Sequence, residues 1–388
     1  MAKSRYEARG VSSSKKEVHA AIASLDKGIF PGAFCQVMPY SAQRRAVKHS
    51  DGAGTKAGLA YLAWKHGFSI KIWRCVSQDS IVMNTDDVAC VGAVDRTIVI
   101  TQIINRNPFC IPGEVLTELV EGGATFCRKM NSLGFSLMLA GGETADVADL
   151  VRTITVDNDV FTETTDREVI DASRIKEGDI IVGFSSTGQA DWENEPNSGI
   201  GSNGLTNARH DVLRPFYRRD KETYSPEMPK KEVYCGKYWL DDKLPGDGRF
   251  TIASALLSPT RTYIPLIKRL LGRISRKDVH AIIHCSGGGQ TKIGKFGPPD
   301  VVYCKYNLFP MPPLFRFLQE ARQLPWAEMY SGYNMGHRLE VVLPAHYERE
   351  CIEVANTCGI EAQKVGDVRK RTGSERVFID TGHGIFPY

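Results

Sequence analysis

Strand-like and helix-like segments alternate through both halves of this chain, and the turns that join them carry glycines together with carboxylates or hydroxyls. That alternation restricts the chain to mixed α/β layers. Arg96 to Ile104 and Leu150 to Phe161 read as strands, and Ser69-Ile-Lys-Ile-Trp-Arg-Cys-Val76 alternates like a half-buried strand. Pro112-Gly113-Glu114 opens a helical pattern running to about Asn131, with proline suited to the first turn. Asp171 to Gly178 is a charged turn, and Asp179-Ile-Ile-Val-Gly-Phe184 begins a new apolar strand. A domain boundary is expected there, giving units over residues 1–170 and 171–388. In the second unit, helices are expected at 203–216, 259–273, 311–323 and 346–357, and strands at 280–285, 339–343 and 376–380. Residues 187–200 and 217–249 are rich in Gly, Pro, charge and aromatics, and read as loops or insertions.

Bulk properties exclude several classes. The 388 residues suffice for two domains with substantial cores, and a formal charge of +4 leaves no nucleic-acid footprint. The polar start Met1-Ala-Lys-Ser-Arg-Tyr6 lacks the apolar stretch of a signal peptide, and no run reaches membrane-span length. Ten cysteines are scattered without a Cys-x-x-Cys pair, so buried free thiols in a reducing cytoplasm are expected rather than disulfides or zinc. The nine histidines show no metal-ligand spacing, and Cys285 reads as a small buried strand residue.

The joints carry the chemistry. Asp51-Gly-Ala-Gly-Thr-Lys56 holds two glycines, a hydroxyl, a lysine and a carboxylate, the ingredients of a phosphate site. It is not a Walker loop, because that motif needs a Gly-Lys pair followed by Ser or Thr. Asn84-Thr-Asp-Asp87, Gly141-Gly-Glu-Thr144 and Cys285-Ser-Gly-Gly-Gly289 share its style, and Gly201-Ser-Asn-Gly204 precedes a helix whose free N–H groups suit an anion. A single glycine turn of this kind is ordinarily only a turn, and paired acids are ordinarily a cap or a solvated face. The set is more telling. Carboxylates at 51, 86, 87 and 143 suit Mg²⁺, and the glycines with Lys56 suit nucleotide phosphates.

In order, these motifs resemble those of the phosphoribosylformylglycinamidine cyclo-ligases, also called aminoimidazole ribonucleotide synthetases. Tyr6-Glu-Ala-Arg-Gly-Val11, Asp51 to Lys56, Asp86-Asp87 with Gly92-Ala93, and Gly141-Gly-Glu-Thr-Ala145 follow the family's first half. Ser202-Asn-Gly204, Pro259-Thr-Arg261 with Tyr263, His284-Cys-Ser-Gly-Gly-Gly289 and Asn334-Met-Gly336 follow its second. The family then continues Ile-Gly-Met where this chain has His337-Arg338-Leu339, and the two insertions are long, which marks a divergent branch. The resemblance implies two mixed α/β domains, the first contributing to a β-barrel in a homodimer, the second built of sheet and helices. It implies ATP-dependent ring closure of formylglycinamidine ribonucleotide to aminoimidazole ribonucleotide in purine biosynthesis, in the cytoplasm, with a small-molecule substrate and neither nucleic acid nor membrane as partner. By matched motif, ATP would contact Asp51, Gly52, Gly54, Thr55, Lys56, Asp86, Gly141, Gly142 and Thr144, and Mg²⁺ would sit on Asp51, Asp87 and Glu143. The ribonucleotide would meet Ser202, Asn203, Gly204, Ser286, Gly287, Gly288 and Gly289, and no residue stands out as a general base. Thiamine-monophosphate kinase and a non-catalytic nucleotide-binding homologue are the alternatives, because one architecture serves several chemistries.

Overall fold

The computed structural model describes residues 5–11 and 16–388; the polar start at residues 1–4 lies outside the described residues. Its first sheet is formed by β1 (Val37–Pro39), β2 (Arg45–Gly52), β3 (Ile98–Arg106), β4 (Leu137–Asp146) and β5 (Ile154–Thr164), in the order β1-β2-β5-β3-β4. The second contains β6 (Asp179–Ser185), β7 (Ala281–His284), β8 (Val301–Lys305), β9 (His337–Pro344), β10 (Ala362–Lys370), β11 (Val377–Asp380) and β12 (Ile385–Pro387), in the order β12-β11-β8-β10-β6-β9-β7. The helices are α1 (Arg5–Ala8), α2 (Lys16–Ala21), α3 (Lys56–Lys65), α4 (Trp73–Cys90), α5 (Gly113–Ser132), α6 (Leu205–Val212), α7 (Ile252–Leu256), α8 (Ile264–Arg273), α9 (Pro313–Arg322), α10 (Trp326–Gly332) and α11 (Glu348–Asn356). Two sheets therefore follow one another along a mixed α/β chain. Among the described residues of this one chain, neither sheet closes into a barrel.

Burial follows the side-chain periods. β5 alternates buried and half-buried over its whole length, as a strand must when helices cover one face. β6 is buried at every position because both faces are covered, which explains its unbroken apolar run. β3 and β4 pair in parallel, so α5 provides the crossover between them. One hydrophobic cluster joins Leu59, Leu62 and Trp73 of the first half to Leu205, Tyr234 and Ile252 of the second.

Several sequence expectations need correction. Ser69 to Val76 is not a strand: a short 3-10 turn at Ile70–Ile72 leads directly into α4. Its apparent alternation covers that turn and the half-buried first turn of α4, a helix that is buried all round only from Asp79 onward. Asn84 to Asp87 is not a loop either but lies in the last two turns of α4, and Gly141 to Thr144 lies inside edge strand β4. Both insertions are packed against the body. Glu193 in the first makes a buried ion pair with Arg261, at 2.6 Å, and Asn197 Nδ2 donates to the Pro259 carbonyl. In the second, Asp220 meets His66 at 2.9 Å and Glu222 accepts from Tyr61, tying the insertion to α3. Arg9 is held by Asp211 at 2.6 Å and by Glu232, so the N-terminal segment is clamped against the same region.

Candidate functional site

Helix α4 organises the site. Every residue from Asp79 to Cys90 is buried, including Asp79, Asn84, Asp86 and Asp87, so each polar group must find a partner. Positions 79, 86 and 87 lie on one helical face, since seven residues make nearly two turns. That face meets the second half of the chain. Asp79 accepts from the Thr260 amide at 2.5 Å and pairs with Lys56. Asp86 accepts from Thr262 Oγ1 at 2.6 Å and from the Tyr263 amide at 2.9 Å, just before α8 begins. Asp87 Oδ1 meets His284 Nδ1 at 2.5 Å, at the end of β7.

The protonation pattern around Asp87 follows from donors and acceptors. Arg338 Nη1 lies 2.8 Å from His284 Nε2, and a guanidinium can only donate. His284 Nε2 is therefore the acceptor, its proton sits on Nδ1, and the neutral ring donates to Asp87. Burial first, then Arg338, pushes the His284 pKa down to about 4, in agreement with that tautomer. Burial, the largest influence, would raise the Asp87 pKa, but the hydrogen bond from His284 together with the nearby His284, Lys292 and His49 outweighs it and leaves the pKa lowered. Asp86 has no such donor ring, and burial pushes its pKa up to about 7 against the opposing pull of Arg338. Arg338, where the family pattern has a glycine, is buried: it also donates to the Arg261 carbonyl and lies beside Gly201. Its charge is used internally.

The phosphate-type motifs converge in part. Thr55 is the N-cap residue of α3, and its hydroxyl accepts from Thr206 Oγ1, in the first turn of α6, at 3.0 Å. Two helix N-termini thus stand side by side, one from Asp51 to Lys56 and one from Ser202 to Gly204. Gly204 caps α6 at φ +77°, and a Cβ there would run into the Tyr333 ring, so only glycine fits. Ser202 Oγ and Thr260 Oγ1 lie 2.9 Å apart. The Ser286 to Gly289 loop faces the same turn, since a Cβ on Gly287 would stand 3.7 Å from Asn203 Nδ2. Gly288 and Gly289 have φ of +101° and +51°, and the Gly289 position is closed to a side chain by the Tyr333 carbonyl.

Other expected site residues lie elsewhere. Lys56 is fully buried, and its ammonium is engaged by Asp79 and by the Ser258 carbonyl at 2.5 Å. Gly141, Gly142, Glu143 and Thr144 lie on β4, separated from β2 by β5 and β3, or roughly 14 Å at the usual interstrand spacing. Glu143 pairs with Ile103, and in the same row Ile103 faces Asp157, on the sheet face turned away from α4. Asp51 and Asp87 lie on the α4 side. Among the described residues, Asp51, Asp87 and Glu143 are not a convergent ligand set. Sequence reading also missed Asp79, His49 and Lys292. Lys292 Nζ donates to Ser286 Oγ at 2.9 Å, putting a cation beside the glycine loop. Its signal was available: a lysine three residues after the triple glycine.

Residues 33–160 match the family described as AIR synthase related protein, N-terminal domain. Over 378 residues the chain is 28% identical to the phosphoribosylformylglycinamidine cyclo-ligase of Alkaliphilus oremlandii, covering 96% of this chain and 95% of that protein. The enzyme of the same name from Methanocaldococcus jannaschii is 29% identical over 324 residues, covering 83% and 77%. The chain is a divergent relative of these cyclo-ligases. Its fold is shared more widely. A thiamine monophosphate kinase from Aquifex aeolicus superposes with a TM-score of 0.54 at 15% identity, covering 95% of this chain and 96% of that one. A chain of a HypE–HypF complex superposes at 0.56 and 13% identity, covering 97% and 99%. This relative of the cyclo-ligases thus keeps the architecture while its sequence departs from theirs at most positions. No helix among the described residues is long and apolar enough to cross a membrane.

Proposed function

We propose that this chain closes the imidazole ring of aminoimidazole ribonucleotide from formylglycinamidine ribonucleotide, using ATP. The observation that carries the reading is the junction of α3 and α6, where Thr55 and Thr206 bring together the N-termini of two motifs shared with the cyclo-ligases. Helix N-termini, by their dipole and first-turn N–H groups, favour phosphate oxygens. The Ser286 to Gly289 loop and Lys292 complete a cradle suited to a ribonucleotide 5′-phosphate. A thiamine monophosphate kinase relative in fold has been solved with AMPPCP and TMP, which supports ATP as the phosphoryl donor.

In this reaction the amide oxygen attacks the γ-phosphorus and ADP leaves. The substrate's own amidine nitrogen then attacks the imidate carbon and gives up its proton, and phosphate departs with the former amide oxygen. The second nucleophile belongs to the same molecule, so holding the substrate folded supplies much of the rate. Charge neutralisation supplies the rest of the phosphoryl step. Mg²⁺ is ordinarily held by one or two carboxylates plus the phosphates, with no need of a protein cage. Asp51, exposed at the end of β2 beside α3, is the carboxylate placed for that. Asp87 is turned inward and Glu143 outward, so neither is assigned to it.

A small-molecule kinase is the competing reading, and product analysis separates the two. Purified protein is supplied with ATP and Mg²⁺, and with formylglycinamidine ribonucleotide, thiamine phosphate or no acceptor. ADP release with aminoimidazole ribonucleotide formed only in the first mixture is expected. Turnover confined to thiamine phosphate would overturn the proposal.

A further inference from the structure

A second site lies beneath the sheet, at the foot of α4. One ligand atom each from Cys35, His49 and Asp87 converge, all within 4.8 Å of one another. Cys35 and Asp87 are buried, and His49 is partly open, its side chain 25% exposed. The thiol is held in place by the two residues that precede it. Phe34 stacks on Phe296 with ring centroids 5.1 Å apart, and Ala33 bridges to Asp171.

The orientation of His49 is set by its neighbour. Asn84 Nδ2 donates to the Asp51 and Ser80 carbonyls, each at 2.9 Å, so its Oδ1 is an acceptor. His49 Nδ1 lies 3.0 Å from that oxygen and must carry the proton. In the neutral ring Nε2 then presents a lone pair, and it does so toward Asp87 Oδ2 at 3.4 Å. A lone pair facing a carboxylate inside the protein calls for a cation between them. A proton serves this geometry poorly, since charge-assisted N–H···O contacts close to about 2.7–2.9 Å. A tetrahedral ion serves it well: two ligand atoms each ~2.1 Å from the metal stand roughly 3.4 Å apart.

We infer that Cys35, His49 and Asp87 form a site for a borderline-soft divalent cation of the Zn²⁺ class, with its fourth position open on the His49 side. The hydrogen bond from His49 Nδ1 to an amide oxygen is the usual outer support of a metal-bound imidazole. Asp87 has the same support, its other oxygen being taken by His284. Sulfur and imidazole disfavour Mg²⁺, so this site is chemically separate from any ATP-bound metal. Burial first, and then Asp87, raises the Cys35 pKa well above the usual thiol value; a bound dication, helped by nearby Lys292, offsets both as the thiol proton is released to solvent. The inference does not depend on the cyclo-ligase reading.

The test uses Co²⁺ as a spectroscopic probe on the full chain after chelator treatment and dialysis. One Co²⁺ per chain is expected, with visible ligand-field bands of a four-coordinate site and a thiolate-to-metal charge-transfer band in the near ultraviolet. Zn²⁺ should displace it, and excess Mg²⁺ should not. Cys35→Ser should abolish the charge-transfer band, and His49→Gln should weaken binding by at least about tenfold. Cys90→Ser, at a neighbouring buried thiol, should leave the spectrum unchanged. Circular dichroism of each variant checks the fold. Binding without a thiolate band, survival of that band in folded Cys35→Ser, its loss in Cys90→Ser, or displacement by Mg²⁺ would each overturn the inference. ATP binding, followed separately by calorimetry, reports on the proposed function alone.

Discussion

Single buried residues determine how the Ser286 to Gly289 loop is held. Gln290 follows the triple glycine, and its Nε2 donates to the Asn334 and His337 carbonyls. The same group lies 3.2 Å from His337 Nδ1, which leaves the His337 proton on Nε2, 2.8 Å from Glu340. Lys305 completes the cluster by pairing with Glu340 and donating to the Gln290 carbonyl at 2.6 Å. Burial lowers the His337 pKa below the ordinary 6.5, despite the pull of Glu340. The unfolded chain therefore binds a proton on this ring that the folded chain refuses, and the ring's contribution to stability, complete above pH 6.5, is lost as pH falls below it. Burial would raise the Glu340 pKa, but Lys305 first and then His337 bring it below 4.5, so its contribution is lost in turn as pH falls below that value. His337→Gln keeps a side-chain donor for Glu340 but cannot titrate. Unfolding free energies from urea titrations between pH 7 and 5 should fall less steeply in this variant than in the parent, by up to roughly 1 kcal/mol per pH unit in the window. Parallel curves would refute the assignment of a neutral His337.

At the scale of elements, α4 is the beam between the two halves, and its strongest tie is the buried pair of Lys56 and Asp79. The two side chains are fully buried, and the pair fastens α3 to α4 while both reach the 258–260 segment. Removing one partner leaves the other charge uncompensated, which typically costs 3–5 kcal/mol. Lys56→Met should therefore lower the unfolding free energy by about 4 kcal/mol, whereas Lys56→Met with Asp79→Asn should recover a large part of that loss. Equal losses in the single and double variants, by chemical denaturation, would show that Lys56 acts by shape and not by charge. Elements with one covered face were legible in the sequence. β5 showed its alternation and α5 its helical spacing, because each has an inside and an outside. α4 was not legible, because a helix buried all round places Asp, Asn and Ser inside as readily as Val and Ile, provided each is bonded. The site divides the same way. Asp51 to Lys56 and Ser202 to Gly204 could be found, since turns and caps are local chemistry, and α3 and α6 do bring them together. That Lys56 points inward to Asp79 could not be found, because it depends on a contact between positions distant in sequence and on a helix that the pattern concealed.

At the scale of the whole molecule, one sheet face is without cover among the described residues. Cross-strand register places Lys48, Phe161, Val99 and Met138 in a row across β2, β5, β3 and β4, on the side away from α4. Tyr40 extends the row with an edge contact to Phe161 at 5.7 Å between ring centroids. Met138 is 53% exposed and Ile103 37%, and among the described residues β4 is an edge strand whose outer side has no partner strand. An apolar sheet face of this kind, bordered by an open edge, is the surface on which proteins associate. A second copy of the chain is the occupant implied by the cyclo-ligase resemblance, and a self-complementary patch is what a two-fold contact requires. Light scattering behind size exclusion should therefore give twice the chain mass of 43.0 kDa. Met138→Glu combined with Phe161→Glu would place four carboxylates across a two-fold interface and should yield the monomer. The far-ultraviolet spectrum should be retained, because neither side chain belongs to the buried core. A parent protein that is monomeric at micromolar concentration, or a double variant that remains dimeric, would move the interface elsewhere. If the dimer dissociates as expected, ADP release by the monomer decides what the contact is for. Activity should persist if the site is built from α3, α6 and the 286–289 loop of one chain, and it should disappear if Glu143, on the outer face of β4, acts across the interface.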